Sequence, residues 1–228
     1  MRGARAACDW NRRDRVQLYQ AHGTSRRPPM NFFDRLAAAI TPEATDEDRI
    51  NARNEAQALA QDDDWLGSVL DQHEQIETLF AEAALAQPGD DRVAAMKKLG
   101  QLLTAHSMAE EVVLYPAIAR IGEKGDATMA YEEQSMAKVE MAGLEQLDPE
   151  SDEWAQKLEA IRKAVAHHVY EEESDWFPKL HRSISESEAD MLSMRFDEEF
   201  DRHGDVGMGS AHVRPASQPG PATGGYTN

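Results

Sequence analysis

Two stretches of the chain share one skeleton. His106-Ser107-Met108-Ala109-Glu110-Glu111 runs on to Tyr115-Pro116, and His168-Val169-Tyr170-Glu171-Glu172-Glu173 runs on to Phe177-Pro178. In each, a His is followed four places later by a Glu with a second Glu beside it, and an aromatic residue and a Pro close the pattern ten places after the His. The copies begin 62 positions apart, as expected of one helix-pair unit written twice. Residues four apart share a helix face, so His106 with Glu110, and His168 with Glu172, project together. That face reads as inward: Leu99, Leu103, His106, Glu110 and Leu114 step along it, as do Ile161, Val165, His168, Glu172 and Trp176. A carboxylate in mid-stripe costs several kcal/mol unless it is paired or bound to a metal. Two such pairs on a repeated scaffold predict a metal held between helices.

Composition narrows the alternatives. The formal charge of −18 and pI near 4.8 speak against nucleic acid, since phosphate binding needs a concentrated basic surface. No apolar run approaches the roughly 18 to 20 residues of a membrane span. The single cysteine, Cys8, allows no internal disulfide and suits a reducing compartment, so a cytoplasmic location is expected. A thiolate site or a Cys nucleophile has no support.

The predicted architecture is all-α, an up-down-up-down four-helix bundle with extra N- and C-terminal helices and disordered ends. Residues 1–29 carry seven Arg and no continuous apolar segment, and read as a disordered leader or an upstream extension before Met30. Residues 30–62 form an N-terminal helical segment. It holds a short helix over Met30–Ala39, then a largely polar outer helix that starts at a Thr45/Asp48 capping box and reaches about Ala60. The bundle occupies 63–182. Its first helix carries the stripe Trp65, Val69, His73, Ile76 and Phe80. Pro88-Gly89-Asp90-Asp91 then turns the chain into a second helix over Arg92–Ile121, which Pro116 kinks or ends. Gly122 and Gly125 bracket the next turn, a third helix spans Ala127–Leu147, and a fourth spans Asp152–His181. A Ser185/Glu188 capping box opens a final helix within 183–203, and 204–228, rich in Gly, Ser and Pro, reads as a disordered tail.

The inward donors are His73, His106, Glu110, His168 and Glu172. Imidazole and carboxylate together suit iron, manganese or zinc, and carboxylates able to bridge favour two metals. The repeat places a partner for His73 near position 135, and with one residue of slack it falls on Gln134. An amide oxygen is a poor transition-metal ligand, so either the neighbouring Glu133 is the sixth ligand from the third helix or water fills the place. Glu111, Glu171 and Glu173 read as surface groups or as groups that orient the imidazoles. His167 reads as outer-face, and Tyr115, Trp176 and Phe177 as bundle packing.

Asp71-Gln72-His73, His106 and Glu110 followed by Leu114-Tyr115-Pro116-Ala117, Glu133-Gln134-Ser135-Met136-Ala137-Lys138, and His167-His168-Val169 with Glu172-Glu173 before Phe177-Pro178 together resemble the hemerythrin-like (HHE cation-binding) family. The likeness covers about Trp65 to His181. It implies a non-haem di-iron bundle that binds or senses dioxygen or nitric oxide, or handles iron. His73, His106, Glu110, His168 and Glu172 match the family's ligand pattern, while Gln134 stands where the family usually has His. Two iron ions are the implied cofactor, with zinc or manganese in second place. The alternatives are an iron-dependent enzyme that removes peroxide or nitric oxide, and a structural bundle with a single-metal site. No membrane partner is expected, and the sequence leaves the oligomeric state open.

Overall fold

Stripes of apolar residues at intervals of three and four fold into helices along almost the whole of the described chain. The computed structural model describes residues 44–61 and 64–204, and among them there is no strand. The leader, the predicted helix over Met30–Ala39 and the tail after Gly204 lie outside the described residues. The helices are α1 (Asp46–Gln57), α2 (Trp65–Leu85), α3 (Asp90–Ala109), α4 (Tyr115–Arg120), α5 (Lys124–Leu144), α6 (Asp152–Glu171), α7 (Phe177–Ser183) and α8 (Glu186–Gly204).

Side chains written into the loops start four of these helices, α1, α2, α6 and α8. The Thr45 hydroxyl accepts the Asp48 N–H at 3.1 Å while the Asp48 carboxylate accepts the Thr45 N–H at 2.9 Å, which completes the expected box. Asp64 caps α2 by accepting the Gly67 N–H at 2.7 Å, and Ser151 caps α6 by accepting the Trp154 N–H at 3.1 Å. The Ser185/Glu188 box forms as well, with the Ser185 N–H donating to Glu188 at 3.0 Å. Gly89 (φ 96°) and Gly122 (φ 109°) adopt left-handed backbone at the two predicted turns. Gly125 does not bracket a turn, because α5 already begins at Lys124.

The two motif-bearing helices differ from expectation in one respect. Neither is a single α-helix. A π-helical turn, Glu110–Leu114, joins α3 to α4, and another, Glu172–Trp176, joins α6 to α7. The Tyr115 N–H reaches back five residues to the Glu110 carbonyl, and the Phe177 N–H reaches back to that of Glu172. Pro116 and Pro178 follow directly, and having no N–H to donate they favour a widened turn over a regular one. The chain therefore continues through each Pro without ending. Each π turn opens on a motif Glu.

The core divides into two apolar clusters. One gathers Trp65, Val69, Leu70, Val113, Leu114, Ala130, Trp176, Phe177 and Phe196; the other gathers Ile76, Phe80, Leu99, Leu102, Met141, Leu144, Trp154, Ile161 and Val165. Between them, on α2, α3, α5 and α6 and their π turns, lies a layer of buried polar residues: His73, His106, Glu110, Gln134, His168 and Glu172. C-terminal helix α8 packs on α2 and α3, and its Leu192 and Phe196 join the first cluster. Helix α1 is less peripheral than its polar sequence suggests, since Ala52 and Ala56 are buried and it packs against the second π turn.

Phe177 is fully buried and meets Trp65 edge-to-face at 5.7 Å. A Phe177→Ala protein is expected to lose about 3–5 kcal/mol of stability, read from urea unfolding monitored by circular dichroism. A loss under about 1 kcal/mol would show that this end of the core is loosely packed.

Candidate metal centre

Helical spacing does what the sequence predicts. His106 Nε2 lies 3.3 Å from Glu110 Oε2, and His168 Nε2 lies 3.3 Å from Glu172 Oε1. Helix α2 brings His73 between the two carboxylates, its Nε2 3.3 Å from Glu172 Oε2 and 3.8 Å from Glu110 Oε1. Donor atoms of His73, His106, Glu110 and Glu172 all fall within 4.8 Å of one another, and all four residues are buried. Each carboxylate thus spans two imidazoles, Glu110 those of His73 and His106, and Glu172 those of His73 and His168.

The three rings are held from behind. His73 Nδ1 donates to Glu173 at 2.8 Å, His106 Nδ1 donates to the Gln72 side-chain oxygen at 2.9 Å, and His168 Nδ1 donates to Glu133 at 2.8 Å. With each Nδ1 committed outward, each Nε2 is the nitrogen left to give a lone pair to a cation that displaces its proton. Glu173, 2 % exposed, is in turn gripped by Arg53 of α1, whose guanidinium donates to it at 2.8, 3.0 and 3.2 Å. Glu133, the expected sixth donor, stands with its carboxylate against the outer nitrogen of His168. It also forms part of a separate half-buried group with His167 and Glu171.

Sequence reasoning missed three contributors. In the sequence Gln72 is only a neighbour of His73, Arg53 lies in a helix that reads as outer, and Tyr115 reads as packing. The Tyr115 hydroxyl lies 2.9 Å from Glu172 Oε1, 3.3 Å from Glu110 Oε2 and 3.1 Å from His168 Nε2, and Gln134 donates to it and to Glu110. The one signal available was that Tyr115 sits five residues beyond a buried Glu, on the same repeat that carries the donors.

The electrostatics match a site that wants a cation. Burial first, and then the Glu172 charge, push the Glu110 carboxyl up to about 7. Glu172 stays well below the ordinary range: burial acts to raise it, but His168 and His73 outweigh burial. Burial also acts to lower His73 and His168, yet their carboxylate neighbours hold both well above the usual imidazole value. His106 is pulled down by burial and by the His73 charge. Most telling are the unpartnered buried atoms. His73 Nε2, Glu110 Oε1 and Glu172 Oε2 have no hydrogen-bond partner and face one another. Orphaned donors of this kind are costly unless something satisfies them, and a transition-metal cation fits their chemistry.

Comparison with known proteins agrees with this geometry. The sequence profile described as the hemerythrin HHE cation binding domain matches residues 66–180, about half of the chain. A curated protein named DNA nickase, from Nostoc sp. (strain PCC 7120 / SAG 25.82 / UTEX 2576), is 29 % identical over 127 residues, which covers 54 % of this chain and 35 % of that relative. The chain therefore spans about a third of the length of this curated relative. The profile's range encloses every inward donor, from His73 on α2 to Glu172 at the second π turn, and the chain belongs to the hemerythrin HHE cation-binding family.

Proposed function

We propose that the protein is a non-haem iron protein whose buried centre holds two iron ions and takes up or senses dioxygen or nitric oxide, or handles iron. The observation that carries this reading is the pair of buried carboxylates, each set between two imidazoles, with unpartnered atoms facing inward. Carboxylates so placed suit bridging of two cations. His73, His106 and His168 would supply nitrogen, and Glu110 and Glu172 would supply the bridging oxygens. Glu133, Glu173 and Gln72 would orient the rings, which gives Glu133 an outer role. Bound iron would supply an open coordination position for a diatomic ligand and the electrons to hold it. The chain's own part is to exclude water with two apolar clusters and to fix the imidazole tautomers. The four core helices pass the two clusters in alternating order, which supports an up-down-up-down bundle around the centre.

Protein purified after growth with iron is expected to hold about two irons per chain and to absorb in the near-ultraviolet as oxo-bridged ferric pairs do. A colourless protein that gains neither iron nor stability on addition of iron contradicts the reading. A single-cation site is the second reading, favoured by the four-donor set closing without His168. One metal per chain by mass spectrometry would select it.

No helix of the described residues is long and apolar enough to cross a membrane. Nicking of DNA, named for the relative, does not suit this chain. The acidic balance of −18 is unsuited to a phosphate backbone, and the match covers only a third of that protein.

Arg53 offers a separate check, because it lies outside the family-matched segment yet secures Glu173 behind His73. An Arg53→Met protein is expected to bind iron about ten- to a hundredfold more weakly, measured by chelator competition. Unchanged affinity would mean that Glu173 holds His73 without help from α1.

A further inference from the structure

Resting on the two-iron reading, we propose that the Tyr115 oxygen is a ligand to the second iron, in the place that the repeat leaves to Gln134. Three observations carry it. First, the Tyr115 hydroxyl is fully buried and lies 2.9, 3.1 and 3.3 Å from Glu172 Oε1, His168 Nε2 and Glu110 Oε2. Separations near 3 Å are those between neighbouring ligands on one transition-metal ion with bonds of about 2.1 Å. Second, each carboxylate turns one oxygen to His73 and the other to Tyr115. The two oxygens facing Tyr115 and His168 Nε2 thus surround the phenol oxygen, each within 3.3 Å of it.

Third, the two copies of the repeat differ in a reciprocal way. Where the first copy has an imidazole, His73, the aromatic residue packed on it is Phe177, stacked at 6.3 Å with ring planes 17° apart. Where the second copy has Gln134, the adjacent aromatic is Tyr115, which carries the hydroxyl that Phe177 lacks. The missing nitrogen and the added oxygen occur at the same end of the pseudo-symmetric site. The Gln134 amide N–H donates to the Tyr115 oxygen, leaving the phenol proton directed at Glu172 Oε1. On binding, the phenol O–H bond breaks, an oxygen–iron bond forms and the proton passes to the buffer. The amide N–H remains as a hydrogen bond to the bound oxygen.

The test is optical. Ferric-loaded wild-type protein should show a visible phenolate-to-iron charge-transfer band and, on excitation into it, resonance Raman ring modes of a coordinated tyrosinate. Tyr115→Phe should lose the band and fall from about two irons per chain to about one. Adding Gln134→His to Tyr115→Phe should restore the second iron without the band. Wild-type protein with two irons but no tyrosinate modes overturns this proposal and leaves the two-iron reading intact. Wild-type protein that binds no iron overturns both. The Raman measurement needs no variant, so it decides the matter even if Tyr115→Phe fails to fold.

Discussion

A His73→Ala protein should lose more than about a hundredfold in iron affinity, beyond the ten- to hundredfold that follows loss of an outer hydrogen bond. His73 is the donor that the two halves of the site share. Its Nε2 approaches both Glu172 and Glu110, and its own exposure is 0 %. Without the ring, Glu110 and Glu172 face each other across a gap with one imidazole fewer, and water is excluded by the apolar clusters on either side. Affinity is read by competition with a chelator, and folding is checked by circular dichroism of the metal-free form. A folded His73→Ala protein with wild-type affinity would remove α2 from the site.

Metal-free protein and iron binding should respond to pH in opposite directions. Between pH 5 and 8 the metal-free protein is expected to become less stable as pH rises, while its affinity for iron increases. The sign follows from the protons held in the folded state. Glu110 keeps its proton up to about pH 7, whereas the unfolded chain gives it up near 4.5, so its contribution falls across that window. His73 and His168, both raised, contribute below the ordinary imidazole value and lose that contribution as pH climbs through their raised values. Glu171, half-buried and pushed up to about 7 by burial and Glu133, adds a smaller, screened effect of the same sign. His106, pulled down, works against the trend below the ordinary imidazole value, but it is one group against four. Glu172 matters only at more acidic pH, because it is lowered. Iron displaces these protons, so its binding strengthens as they become easier to remove. Urea unfolding in the presence of chelator, set beside iron titrations at the same pH values, checks both slopes. Two slopes of the same sign would mean that the protons and the cation do not share these atoms.

What the sequence could disclose was whatever depends on local spacing. The pairs His106/Glu110 and His168/Glu172 are read directly from a four-residue interval, and the capping residues Thr45 and Ser185 from a three-residue one. Placing His73 with them needed only an apolar stripe and the repeat. Contacts that join distant parts of the chain stayed hidden. Gln72 reaches His106 across 34 positions, Tyr115 reaches Glu172 across 57, and Arg53 reaches Glu173 across 120. No local pattern encodes which of many polar groups a folded chain brings together at those separations. Glu133 shows the same limit in finer form. Spacing put it beside the site, but a single helical residue step of about 100° decides which side of His168 it meets. The π turns were written in the sequence as the Pro after each aromatic residue, yet the same signal also suits a kink or a helix end.

The most direct test of the centre is anomalous X-ray diffraction at the iron absorption edge from crystals of the iron-loaded protein. Strong anomalous density is predicted within bonding distance of His73 Nε2, His106 Nε2, Glu110 and Glu172. Iron found elsewhere on the chain, with these four side chains bound to nothing but one another, would contradict the account.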